Sequence, residues 1–156
     1  MELTGSSALQ LQILTYVALA MLLGAVLGID REIAHRPAGL RTHMMVSGAA
    51  ALLVALGELI VKNFEAEQGH TLIQTDPLRV IEAVITGVSF LGAGTILRNS
   101  STHEVQGLTT AASLLLAAAM GVTVALSQLI LATGITALAL LTLRGLQVVT
   151  RWLEQR

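Results

Sequence analysis

Apolar residues run through this chain in long blocks, and the polar residues are gathered into the short stretches between them. Five blocks approach the ~20 residues needed to cross a ~30 Å hydrocarbon layer: Ala8 to Ile29, His43 to Val61, Leu78 to Leu97, Leu108 to Leu126 and Gln128 to Leu143. Each is expected to be helical, because an unpaired backbone amide costs several kcal/mol in lipid and a helix pairs its amides within one segment. Little more than Ser127 and Gln128 separates the last two blocks, which predicts a tight helical hairpin. Local signals mark other edges. Asp76-Pro77 reads as an N-cap followed by proline at the first helical position, Ser101 with Glu104 matches a capping box, and Thr109 or Thr110 is placed to cap the fourth helix. The predicted fold class is all-α, a single-domain polytopic membrane protein built as a bundle of five transmembrane helices.

Composition agrees. With 54% apolar residues, 12% charged and a mean hydropathy of +0.75, a soluble fold of this length could not hide its apolar surface. The first block is too long for a removed signal peptide and lacks a basic leader and a small-residue cleavage site. The basic residues then orient the chain. With the N-terminus outside, Arg31, Arg36, Arg41, Arg98, Arg144, Arg151 and Arg156 lie in the cytoplasm and only Lys62 and Arg79 outside, as the positive-inside rule requires. The stretch from Lys62 to Arg79, with Glu65, Glu67, His70 and Asp76, is then the external loop. Trp152 reads as an interfacial anchor for an amphipathic cytoplasmic tail.

The absence of cysteine excludes disulfides, thiolate metal sites and thiol nucleophiles. No nucleophile–base constellation or nucleotide-binding loop points to an enzyme, no nucleic-acid partner is expected, and no internal repeat suggests an inverted-repeat transporter.

Small residues inside the blocks let helix backbones approach closely in lipid. Gly24 and Gly28 form a GxxxG pair, Ser47, Ala51 and Ala55 continue the theme, and Gly87, Gly92, Ala93 and Gly94 follow on the third helix. They serve packing within one chain or a homodimer. Ionisable groups in such blocks are the default functional candidates. Glu58 and Glu82 fall at similar depth toward the outer side, a candidate cation entrance suited to Mg²⁺, which takes oxygen ligands and keeps several waters. The competing reading is two salt bridges, Glu58 with Lys62 and Arg79 with Glu82. Thr86, Ser89 and Ala93 extend a polar stripe below Glu82, which would line a narrow water path or bond to another helix.

The cytoplasmic side is richer. Asp30, Arg31 and Glu32 end the first helix, Arg41 and Thr42 open the second, Arg98 ends the third, and Gln106 to Thr110 open the fourth. One account is a charge network joining Asp30 or Glu32 with Arg41 or Arg98 that clamps helix ends. The other is a binding site in which Asp30 and Glu32 hold Mg²⁺ directly or through its water, or in which arginines and helix N-termini hold an anion.

At these residues the chain resembles a known family. Leu23 to Glu32 continuing through Pro37-Ala38-Gly39-Leu40-Arg41-Thr42-His43, then Gly87 to Arg98, then Val105 to Ser113, are similar in order and spacing to the motifs of the MgtC/SapB family of bacterial inner-membrane proteins. The resemblance covers residues 20 to 140 approximately. It implies a five-helix membrane domain linked to Mg²⁺-limited growth and, in some pathogens, to survival inside host cells. Carried onto this sequence, the motif positions are Asp30, Arg31, Glu32, Gly39, Arg41, Thr42, Gly92, Gly94, Arg98, Gly107, Thr109 and Thr110. Some members add a soluble C-terminal domain, whereas here only Arg144 to Arg156 follow, so the membrane domain alone is expected. Leu114-Leu115-Leu116 stands where members often carry tryptophan or another bulky residue. Two functions follow: a Mg²⁺ transport or homeostasis component whose carboxylates contact the hydrated ion, or a regulatory protein that docks onto another membrane complex.

Overall fold

A computed structural model of the protein describes the backbone of residues 2–68, 78–98 and 105–154 and the side chains of residues 7–62, 78–96 and 105–145. Five helices follow one another as expected: α1 (Glu2–Ile33), α2 (Leu40–Gln68), α3 (Leu78–Ala93), α4 (Leu108–Ala125) and α5 (Leu129–Glu154). A two-residue ribbon, β1 (Leu97–Arg98) paired antiparallel with β2 (Val105–Gln106), links α3 to α4. The stretches Ser7–Ile33, Leu40–Lys62 and Leu108–Ala125 are long and apolar enough to cross a membrane, and the apolar part of α5, Leu129–Gly145, is shorter.

Several edges differ from the apolar blocks, for local reasons. The third helix stops at Ala93 rather than Leu97 because the Gly92 and Ala93 carbonyls are taken by the Thr95 and Ile96 amides at 2.9 and 3.1 Å. The Thr95 hydroxyl adds a bond to the Gly92 carbonyl at 2.7 Å, and the chain leaves as the ribbon. Neither Thr109 nor Thr110 caps α4. Gly107 holds the N-cap position at φ +94°, without a side-chain cap, and the Thr95 carbonyl lies where a Cβ would stand. Only glycine meets both demands. Asp76-Pro77 and the Ser101–Glu104 pair lie outside the described residues. Between α4 and α5, Ser127 turns the chain at φ +59°, the Gln128 amide bonds the Thr123 carbonyl at 2.8 Å, and Tyr16 of α1 reaches the Ser127 hydroxyl at 2.9 Å.

α1 and α2 run antiparallel with their backbones nearly touching. A Cβ on Gly24 would collide with the Ser47 hydroxyl and the His43 carbonyl, and one on Gly28 would stand 2.6 Å from the Leu40 Cα. The GxxxG pair therefore packs inside one chain. α4 sits centrally, in contact with the other four helices. Its Gly121 meets the Ser47 carbonyl and Ala50, and Ala111 meets Gly92 of α3. Leu27, Leu114, Met120 and Val124 fill the interior with no exposure. Gly87 takes no part in this packing: nothing lies within 4 Å of where its Cβ would be, because α3 turns that face outward. Gly94 meets only carbonyls of its own turn.

Candidate functional site

The last turn of α1 carries Asp30 and Arg31 into the bundle. Their side chains are 8% and 2% exposed, the arginine being the largest fully buried side chain among the described residues. Asp30 Oδ1 accepts a hydrogen bond from Arg144 Nε of α5 at 2.7 Å, while Oδ2 lies 3.6 Å from Arg31 Nη2. One carboxylate thus faces two guanidinium groups. Arg144 is 64% exposed whereas Arg31 is buried, and neither Arg31 Nε nor Asp30 Oδ2 has a hydrogen-bond partner among the described residues.

Glu32, one residue on, turns back toward α2. Its Oε2 accepts the Leu40 amide at 2.9 Å, so a carboxylate satisfies an orphan donor at the start of α2, where the helix dipole favours negative charge. His35 makes the reversal between the helices at φ +52°. Deeper in, His43 places Nδ1 2.9 Å from the Gly39 carbonyl and Nε2 3.0 Å from the Ser113 hydroxyl of α4. Ser113 in turn lies 2.9 Å from the Thr110 carbonyl, and the Ser47 hydroxyl bonds the Ala20 carbonyl of α1 at 2.8 Å. These buried contacts stitch α1, α2 and α4 together where apolar packing alone would leave their rotation loose.

Two adjoining cavities open beside the charged turn. The first, about 500 Å³, is lined by Arg31, Arg36, Gln106, Gly107, Thr109 and Thr110 among others. The second, about 340 Å³ and almost wholly apolar, runs between α4 and α5 and is lined by Leu27, Ala112, Leu116, Ile135 and Leu138 among others. Thr109, Thr142 and Leu143 line both.

The motif residues are therefore gathered only in part. Arg31, Thr109 and Thr110 line one cavity and Asp30 pairs with Arg31, whereas Glu32 is turned to the Leu40 amide and Thr42 is half-buried outside the cavity lining. The expected partner of Asp30 was Arg41 or Arg98. Arg41 instead stands exposed on the outer face of α2 with no ion pair among the described residues, and α5 delivers Arg144 in its place. The Arg98 side chain lies outside the described residues. Glu58 sits 3.9 Å from Lys62, both well exposed, which matches the surface salt-bridge reading. Glu82 is exposed on α3, with no ion pair to Arg79 among the described residues, and is absent from the 80 Å³ pocket that Glu58 shares with Gln12, Tyr16 and Lys62. No group of three His, Cys, Asp or Glu among the described residues is close enough to hold a metal ion. Sequence reasoning gave no site role to Arg144, His43 or Ser113 and gave Ser47 only a packing role. The available signal was the polar spacing inside apolar blocks, His43 with Ser47 and Thr110 with Ser113, each repeating on one helix face.

The chain matches the MgtC family over residues 17–152. It is 32% identical to an uncharacterised protein of Haemophilus influenzae across 92% of this chain and 59% of that protein. It is 38% identical to Protein SrpB of Synechococcus elongatus across 88% of this chain and 77% of that protein. It is 37% identical to Protein MgtC of Salmonella typhimurium, but spans only 41% of that relative's length. No solved structure matches it. With its motifs in order, its apolar helices long enough to span a bilayer and this match over nearly its whole length, the chain is a bacterial membrane protein that belongs to the MgtC family.

Proposed function

We propose that this protein serves Mg²⁺ homeostasis in the bacterial inner membrane by docking onto and modulating another membrane complex, rather than by carrying the ion. The N-terminus lies outside and the Asp30–Arg31–Arg144 cluster faces the cytoplasm, in keeping with the arginine asymmetry. The link to Mg²⁺ rests on the family, and the relatives named MgtC are longer than this chain.

The observation that carries the docking reading is the outer face of α3. Glu82, Thr86 and Ser89 are all exposed there on one stripe, and Gly87, exposed about 100° further round the helix, leaves the backbone open to a neighbour. Thr86 already turns its hydroxyl to the Glu82 carbonyl at 2.8 Å, but the Glu82 carboxylate and the small Ser89 would gain by meeting another helix, because lipid offers a charge no partner. The carboxylates of the charged turn, by contrast, face cations or amides of the chain itself: Asp30 stands between two arginines, although its Oδ2 has no hydrogen bond among the described residues, and Glu32 takes the Leu40 amide.

The test pairs transport with growth. Purified protein in liposomes loaded with a Mg²⁺-sensitive dye should pass no more Mg²⁺ than protein-free vesicles. In a strain lacking its own copy, the wild type should restore growth at low Mg²⁺, and Thr86→Leu/Ser89→Leu should not, at equal membrane abundance. Protein-dependent flux would overturn the regulatory reading, full growth with the double variant would overturn α3 as the docking face, and growth indifferent to the protein would overturn the homeostatic role.

A further inference from the structure

The charged turn holds one positive charge too many. Asp30 is the only acidic side chain paired with Arg31 and Arg144 among the described residues, and Glu32 is turned away to Leu40. Arg144 can discharge its surplus into water. Arg31, 2% exposed with Nε unpartnered, cannot, and it lines the larger cavity with Arg36. A buried guanidinium is costly unless an anion meets it.

The start of α4 forms another wall of the same cavity. Gly107, Leu108, Thr109 and Thr110 all line it, no side chain caps the helix, and an 18-residue helix leaves its first amides pointing outward at the positive end of its dipole. Arginine beside a helix N-terminus is the chemistry that holds a phosphate group.

The surroundings select which phosphate. Arg31 closes one membrane-length stretch, Leu108 opens another, and Thr142 lies near the end of the apolar part of α5, so the cavity stands at a membrane boundary, where lipid phosphates lie. It continues through Thr109, Thr142 and Leu143 into the apolar groove between α4 and α5. A free anion would use the first cavity and leave the second empty. We propose that α1, α4 and α5 form a binding site for an anionic phospholipid, with its phosphate on Arg31, Arg36 and the first turn of α4 and an acyl chain in the α4–α5 groove. Basic pockets between membrane helices bind anionic headgroups in this way. The assignment is independent of the docking role of α3.

Thermal unfolding of the full chain in neutral detergent tests it, because a ligand that binds only the folded state raises Tm. Phosphatidylglycerol should raise Tm in a saturable way and phosphatidylcholine should not. Arg36→Glu, at an exposed position, should weaken the apparent affinity about tenfold or more, the scale of one charge-assisted hydrogen bond. Ala112→Phe, on the exposed wall of the groove, should weaken the phosphatidylglycerol response while leaving any response to inorganic phosphate unchanged. Arg31→Gln should abolish lipid discrimination; if it does not fold, the two exposed variants still decide. Equal stabilisation by both lipids, an unchanged response in Arg36→Glu, or a full shift with inorganic phosphate alone that ignores Ala112→Phe would each overturn the lipid site.

Discussion

Replacing Asp30 by asparagine removes one charge from two very different partners, and the structure says which of them matters. Arg144 is 64% exposed and keeps its charge solvated when the pair is broken, so its bond at 2.7 Å to the buried Asp30 carboxylate is worth about 1–2 kcal/mol. Arg31 is 2% exposed and cannot retreat to water, so stranding it costs ~3–5 kcal/mol. Asp30→Asn should therefore destabilise by about 3–5 kcal/mol, a large part of the total for a domain of this size. Arg144→Gln should cost about 1–2 kcal/mol, because Asp30 loses a hydrogen bond but Asp30 and Arg31 then balance one to one. Asp30→Asn/Arg31→Met removes both buried charges and should recover most of the loss. Arg41→Gln, on the exposed face of α2, should lie within about 0.5 kcal/mol of wild type. Denaturant unfolding in neutral detergent, with membrane abundance measured alongside, reads all four. Equal losses for Asp30→Asn and Arg144→Gln, or a double variant less stable than Asp30→Asn, would refute the claim that the burial of Arg31 sets the energetics of the cluster.

Glycine positions should separate cleanly by what stands near them. Gly28→Ala puts a Cβ 2.6 Å from the Leu40 Cα and should cost ~1–3 kcal/mol through forced separation of α1 and α2, whereas Gly87→Ala enters open space and should be neutral or gain up to ~1 kcal/mol in helix propensity; the same unfolding assay compares them. Gly107→Ala forces a side chain into the left-handed region against the Thr95 carbonyl and should lose about 2 kcal/mol or more, an expectation that wild-type stability would refute. For orientation, a cysteine replacing Glu67 should react with an impermeant reagent from the periplasmic side of intact cells and one replacing His35 should not; the reverse pattern would invert the topology.

Helix number and order were readable because the bilayer criterion needs only block length, and each of the five blocks became a helix. Block length says little about ends. α2 runs on to Gln68 and α5 to Glu154 beyond their apolar parts, and α3 stops early where the Thr95 and Ile96 amides and the Thr95 hydroxyl close its last turn. Asp30, Arg31 and Glu32 stood out as a candidate site because charges are scarce in such a chain. Their partners were not. Choosing Arg144 over Arg41 requires the rotation of each helix about its axis, and a helix apolar on nearly all sides carries no amphipathic stripe to reveal it. The contacts that do set rotation, such as Ser47 on the Ala20 carbonyl and His43 on Ser113, are single hydrogen bonds with no repeating signature along the chain.

The His43–Ser113 contact also implies a shortage of hydrogen. The Gly39 carbonyl can only accept, so Nδ1 of a neutral imidazole carries the ring proton and Nε2 is bare. Ser113, 3.0 Å away, must then donate to Nε2, yet the Thr110 carbonyl at 2.9 Å claims the same hydroxyl proton. One hydrogen serves two acceptors that belong to different helices. The hydroxyl rotor therefore has two settings: one bonds α4 to α2, and the other adds a second bond to a Thr110 carbonyl that the helix already pairs with the amide four residues on, so turning away from His43 leaves only Nε2 without a proton.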